Sequence, residues 1–338
     1  MIEIGSSSKD LIMDRLTVPP LAWYGPRYVT KKYKGPIWRA RRVTGGTWRD
    51  VYDDGQGLVD KKELMAIMGT DSIEVTPYDL MGGGPRPGDF FAMTSADGFA
   101  PQVGSNGVLN TVADIPAMKA TANSYLLSNA QFGFNFTNTI IMNAVVVRGS
   151  TPSVAGYIFG ADFATSGFSD LELFFPANSQ KMGFGEDRSN YASADVGTLT
   201  NDTVSVFTAI RNGGGTNPPG FLKQNGQVIA SYTSAPAGSQ QPNRLAAFCD
   251  PDGGVGGYNA RGAFMGGSSG SALMEFGIWN AAQSPSPQCL IDLELDQGKY
   301  FNIPIYGTLA WPVSVSRNIL AANGSALLTN TGGALTYK

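Results

Sequence analysis

Catalysis near neutral pH needs side chains that change charge or form bonds there, and the commonest of them is missing. None of the 338 residues is histidine. That removes Ser-His-Asp and Cys-His nucleophile schemes and every His-ligated metal. The two cysteines, Cys249 and Cys289, stand far apart in no metal-binding spacing, and both are expected to be buried free thiols. Asp250 and Asp252, in CDPDGG, are the metal candidates. A calcium loop needs more oxygen ligands than two carboxylates, so a tight turn is the expected reading, with no metal and no cofactor. The stretch GGSSGSALMEFGIW, residues 266–279, is a loop of small residues feeding a strand. Such a loop suits the lip of an active site or the edge of a binding module. Ser268, at its centre, has a hydroxyl with no ionisation near neutral pH.

Cations are concentrated in one place. Residues 27–42 (RYVTKKYKGPIWRARR) hold seven Lys and Arg and no acid, with Tyr33 and Trp38 among them. Basic residues interleaved with aromatics can hold phosphate backbones. The whole chain carries a formal charge of −3, however, so nucleic acid is not the expected partner, and the segment is expected to be a solvated face or a basic patch meeting an acidic partner subunit.

The elements that must carry these residues are mostly strands. Only 15% of residues are charged, and 43 are glycine. That composition suits many short strands joined by small-residue turns. Strands are expected at 37–43, 48–52, 72–78, 90–94, 139–149, 155–160, 171–175, 204–210, 244–249 and 271–279. A hairpin is expected over 221–233, turning at Asn225-Gly226. Helices are expected over 27–33, over 60–69 with Asp60 as cap, Glu63 completing a capping box and Gly69 as stop, and over 284–300. Trp23, Trp38, Trp48 and Trp279 are core candidates.

Residues 1–20 read as a polar arm closed by Pro19-Pro20 and ordered by a partner. Residues 21–300 form the main domain, with 21–88 as a small α/β leader, and 301–338 form a tail. In the tail, Ile319-Leu320, Leu327-Leu328 and Ala334-Leu335 recur at spacings of eight and seven. Ile319, Leu320, Leu327, Leu328 and Leu335 are therefore assembly candidates, on strands too short to bury their faces alone. MIEIGSSSKD has Glu3 and Asp10 where a secretion signal would be basic and then apolar, so synthesis in a cytoplasm is expected. The longest apolar run, TIIMNAVVV, is too short to span a bilayer. The sequons at Asn135, Asn201 and Asn323 mean little without secretion.

The leader WYGPRYVTKKYKGPIWRARRVTGG, the helix DKKELMAIMG, and the strand running into Tyr78-Asp79 and a glycine loop resemble the start of the α-L-arabinofuranosidase B catalytic domain. The resemblance covers roughly residues 21–298. It implies a mainly β fold: a concanavalin A-like antiparallel β-sandwich (jelly roll) with the α/β leader and a β-rich tail. It also implies a retaining glycosidase site with two carboxylates. Glu172, in LELFFPANSQKMGFG, matches the family nucleophile. Tyr78 and Asp79 match the glycine-loop motif, though YDLMGGG lacks the family's polar middle. The acid/base carboxylate of the family falls at Ser268, which cannot protonate a leaving group. The family's adjacent cysteine pair is also missing from AGYIFGADF. Glu275 matches a structural glutamate.

A sandwich of this kind with a polar arm and a Gly-rich repeating tail resembles bacteriophage virion proteins. The expectation is a homo-oligomeric tail-fibre, spike or head-decoration subunit, located in the virion beside other virion proteins. Its sandwich would bind a host surface glycan through Tyr78, Asp79, Glu172 and Ser268 without catalysis. The alternatives are a depolymerase using Glu172 against bacterial polysaccharide, and a scaffold with no ligand.

Overall fold

The computed structural model describes residues 11–81, 89–92, 100–119, 121, 124, 126–128, 138–148, 156–163, 171–176, 181–185, 191–195, 203–213, 219–233, 242–248, 271–282, 285–306, 319–320 and 326–327. Cys249, Asp250, Asp252, Ser268, Leu328 and Leu335 lie outside these residues.

The chain is mainly β, as its composition predicts, and forms a two-sheet sandwich. Among the described residues the larger sheet has twelve strands, all antiparallel. Its centre is Thr139–Arg148 paired with Ala272–Ala281. On one side it continues through Thr203–Arg211 to the hairpin Pro219–Gln224 and Gln227–Thr233. On the other side, Ala22–Tyr24 and Met118–Lys119 share the free edge of Ala272–Ala281. The leader strands Ile73–Pro77, Trp38–Arg42 and Arg49–Val51 extend this same sheet outward. The smaller sheet has seven strands, in the order Tyr191–Asp195, Lys181–Gly185, Leu171–Phe175, Gly156–Phe163, Pro242–Ala247, Leu126–Ser128 and Phe90–Ala92.

Alternation decides what lies between the sheets. Leu171, Leu173 and Phe175 face Phe276, Ala144 and Phe207 in one core. Phe276 bridges the layers: its ring stacks on Tyr24 at 4.7 Å and meets Phe159 of the smaller sheet edge-on at 5.0 Å. The larger sheet is also buried on its outer face. There Val145, Val147, Val206, Ala272 and Met274 meet Phe301 and Ile303 at the end of the helix Pro287–Phe301. A strand buried on both faces reads as an unbroken apolar run, which explains TIIMNAVVV.

The expected strands are present with shifted ends, and Asn225-Gly226 forms the turn with φ of 48° and 90°. The 61–68 helix starts at Asp60, whose carboxylate accepts the amides of Lys62 and Glu63, and stops at Gly69 with φ of 60°. The capping box differs: the Asp60 amide donates to the Tyr52 carbonyl. Ser286, two residues later than expected, caps the closing helix by accepting the Cys289 amide. Cys289 is free and only partly buried.

Two expectations near the N-terminus change. Residues 27–33 are not helical. Arg27 bridges Leu58, Val29 accepts the Met13 amide, and Asp14 accepts the Thr30 hydroxyl and the Lys31 amide. Those partners compete with a helical ladder in a segment whose Val29 and Thr30 are poor helix formers. The second change concerns the arm. Its residues Ile12–Arg15 form a short helix, with Ile12 and Met13 in the core, and the Val18 carbonyl accepts the Trp279 indole N–H. From Leu11 onward, the arm packs on this chain's own core.

Gly277 pairs with Trp23, and a Cβ at Gly277 would stand 2.0 Å from Trp23 Cε3. Gly277→Ala is expected to cost about 1–3 kcal/mol of stability through overpacking, read as a lower urea midpoint. An unchanged midpoint would contradict this packing.

Candidate functional site

Glu172 sits mid-strand in Leu171–Phe175, opposite Gly160 on one side and Gly185 on the other. Its neighbours Leu171 and Leu173 belong to the sandwich core, so by alternation Glu172 and Phe174 belong to the outward face of the smaller sheet. Both flanking residues are glycines, which leaves no side chain beside the carboxylate along the pairing direction. The tip of the Phe174 ring lies over Gly183, where a Cβ would come within 2.7 Å of Cζ. The outward face of this strand therefore carries a carboxylate beside an aromatic ring, both of them buried at 8% exposure. A carboxylate can accept hydrogen bonds from sugar hydroxyls, and with a second acid about 5–5.5 Å away it can serve a retaining hydrolysis. The family's acid/base position, Ser268, and the alternatives Asp250 and Asp252 lie outside the described residues.

Tyr78 and Asp79 have other surroundings. The Tyr78 hydroxyl donates to Asp50 at 2.7 Å. Burial first, and then Asp50, push the phenol's pKa well up, so it stays a donor. Asp79 is 1% exposed; its Oδ1 accepts the Trp23 and Met81 amides at 3.1 Å each. The Asp79 amide in turn donates to Asp89. This pair ties the leader strand to Ala22–Tyr24. Among the described residues, no three His, Cys, Asp or Glu are grouped to hold a metal ion, and no helix is long and apolar enough to cross a membrane.

Sequence reasoning missed a second polar cluster, on the outer face of the larger sheet beneath the closing helix. Its centre is Glu275, fully buried. The register of Ala272–Ala281 against Thr139–Arg148 skips one residue, Val145 facing Glu275 and Val146 facing Leu273. This bulge makes Met274 the extra residue and aims Glu275 outward, whereas an unbroken ladder would turn it into the sandwich core. Arg27 donates to both Glu275 oxygens, at 2.8 and 3.2 Å, and pairs with Asp296 at 2.7 Å. Burial disfavours the Arg27 charge, but Glu275 and then Asp296 outweigh it and hold the guanidinium firmly protonated. The guanidinium also lies 4.1 Å over the Tyr300 ring.

From Glu275 the network crosses the sheet. The Gln297 amide donates to Glu275 and to Asn143, Asn143 donates to Thr208, and Thr208 donates to Glu294. Lys223 closes it with contacts of 2.7 and 2.8 Å to the Glu294 carboxylate. These bonds tie the helix to the central strands, so the network's work is to fasten the helix. Two signals in the sequence mark them: Asn143 inside TIIMNAVVV, and Glu294 and Gln297 three apart on the helix beside buried Leu290 and Leu293.

By sequence, no family model and no curated protein matches this chain. By structure, it is similar to an arabinofuranosidase complexed with arabinofuranosyl-alpha-1,2-xylobiose, with a TM-score of 0.55 at 12% identity, covering 91% of this chain and 67% of that one. Two structures of a GH54 α-L-arabinofuranosidase, soaked with 4-nitrophenyl α-L-arabinofuranoside and with a cyclic sulfate inhibitor, also have TM-scores of 0.55. Their identities are 12% and 13%, and each covers 96% of this chain and 73% of its own. The chain thus has an arabinofuranosidase-like, glycosidase-type β-sandwich fold.

Lys223 and Glu294 are almost fully buried. Lys223→Met would leave the Glu294 charge without its cation and is expected to lower stability by about 3–5 kcal/mol. Adding Glu294→Leu should recover most of that loss in the same urea titration. A single variant as stable as the parent would show that the pair is not buried as described.

Proposed function

We propose that this protein binds carbohydrate on the outward face of its smaller sheet, without catalysis, as a structural subunit of a bacteriophage particle such as a tail fibre, spike or head decoration. The observation that carries the binding reading is Glu172 between Gly160 and Gly185, with Phe174 beside it, on a glycosidase-type sandwich. A carboxylate next to an aromatic ring suits a sugar, whose hydroxyls donate and whose C–H face is apolar. The non-catalytic part rests on Ser268, which stands where the resembling enzymes carry their acid. The virion part rests on sequence organisation: a polar N-terminal arm and a Gly-rich tail with repeated apolar pairs.

Two strands support an assembling tail. Ile319–Leu320 and Ala326–Leu327 pair antiparallel, Ile319 opposite Leu327. A ribbon this short is barely stable alone in water and needs another surface. In this reading the surface belongs to a neighbouring subunit.

A second reading has the geometry of Glu172 in its favour: a glycosidase acting on bacterial surface polysaccharide, with Glu172 as nucleophile. A glycan array with reducing-sugar release measured in parallel separates the readings. Binding without release, weakened about tenfold or more in Glu172→Gln, is the expected result, since a hydrogen bond to a charged group contributes about 1.5–3 kcal/mol. Release that Glu172→Gln abolishes would establish the glycosidase. A blank array from a chain that still assembles would leave a scaffold. For assembly, removing residues 319–338 is expected to convert an oligomer to monomers in light scattering; an unchanged mass would refute the tail's role.

A further inference from the structure

The basic segment is not absorbed by the face around Glu172. It forms the wall of a cavity of about 490 Å³, within the range of small-ligand sites. Arg27, Tyr28, Lys31 and Lys34 line one side, the loop from Asp53 to Leu58 the other, and Tyr300 of the closing helix the back. The two walls are stitched together: the Tyr28 amide donates to the Gly57 carbonyl, and Arg27 bridges Leu58. Gly55 and Gly57 both have positive φ, 84° and 85°, which gives the loop its tight path.

The charges in this cavity sit at different depths. Arg27, at the base, is neutralised by Glu275 and Asp296. Asp53, the carboxylate of the lining, receives the Gly55 and Gly57 amides on Oδ2. Lys31 and Lys34 are both exposed, and the Lys34 ammonium stands 5.7 Å above the Tyr28 ring. Asp14, which accepts the Lys31 amide, is the acid next to that end of the wall. Burial, and next Asp53, raise the Tyr28 phenol to about 12, and its hydroxyl donates to the Gly35 carbonyl, which fixes the ring as a wall. The cavity therefore combines two tyrosine rings, backbone of a glycine-rich loop, and ammonium groups at its mouth.

We infer that this cavity is a second saccharide site, distinct from the face around Glu172, and that it takes a sugar carrying a carboxylate. Tyr28 and Tyr300 line the space the sugar would fill, and Lys31 and Lys34 meet its acid group. The inference does not depend on what binds at Glu172.

The test is calorimetric titration of the full chain at low salt with methyl β-D-glucuronide and, separately, methyl β-D-glucoside. The glucuronide is expected to bind more tightly and to weaken as salt rises. The double variant Lys31→Gln, Lys34→Gln changes exposed side chains, and its melting curve, measured alongside, shows that the fold is kept. Its affinity for the glucuronide is expected to fall about fivefold to tenfold. Equal affinity for the two sugars, or an unchanged affinity in the double variant, would overturn the inference. Displacement of the glucuronide by an equal concentration of inorganic phosphate would reduce the cavity to a simple anion site and overturn the saccharide assignment. Lysine-dependent binding of duplex DNA in place of the glucuronide would do the same.

Discussion

The rest of this structure depends on a buried carboxylate, Glu275, held by the largely buried Arg27. Removing both from solvent is costly, and the pair persists only because every neighbour is arranged for it. The skipped register at Met274 turns Glu275 away from the sandwich core. Gly25 leaves room for it: a Cβ there would stand 3.0 Å from Glu275 Cγ. Gln297 bonds one of its oxygens, and Asp296 takes the remaining charge of Arg27. Through that pair, the N-terminal segment, the central strand and the closing helix are fixed against one another.

This polar seam has a consequence for where a ligand can go. The outer face of the larger sheet, over Val145, Val206 and Met274, is closed by the end of the helix, and a hydrogen-bonded network lies beside it. The inner faces of both sheets are filled by aromatic and aliphatic side chains. Among the described residues, the outward face of the smaller sheet carries Glu172 between two glycines. An opening lies at the margin of the seam, where the basic segment and the Asp53–Leu58 loop diverge above Arg27. The cluster that fastens the helix thus also supplies the base of that cavity.

Much of the fold was legible before any coordinates. The runs LELFF and VSVFTAI, the Asn225-Gly226 turn and the Asp60 and Gly69 helix boundaries carry strong local signals, and each lies close to its expected place. Illegible were the short strands Gln102–Ser105 and Met118–Lys119, which have few apolar residues and exist because a neighbouring edge offers them hydrogen bonds. The helix expected over 27–33 failed for the same kind of reason: distant groups, Leu58 and Asp14, compete for its backbone. Tyr78 and Asp79 matched a motif by type, yet burial against Asp50 and Trp23 gives them a fastening role visible only in three dimensions.

By itself the sequence determined the fold class and excluded whole chemistries. Alternating apolar residues and frequent glycine turns leave little but a β-sandwich, and a chain without histidine cannot build the commonest nucleophile and metal sites. Tertiary structure alone decided which face each carboxylate occupies. A single bulge reverses the facing of a strand, and no local propensity encodes where it falls. Glu172 and Glu275 are both glutamates within apolar strands, and one lies on an outward face between glycines while the other is locked beneath a helix. That difference comes from register and from what packs above each strand, both of which are properties of contacts distant in sequence.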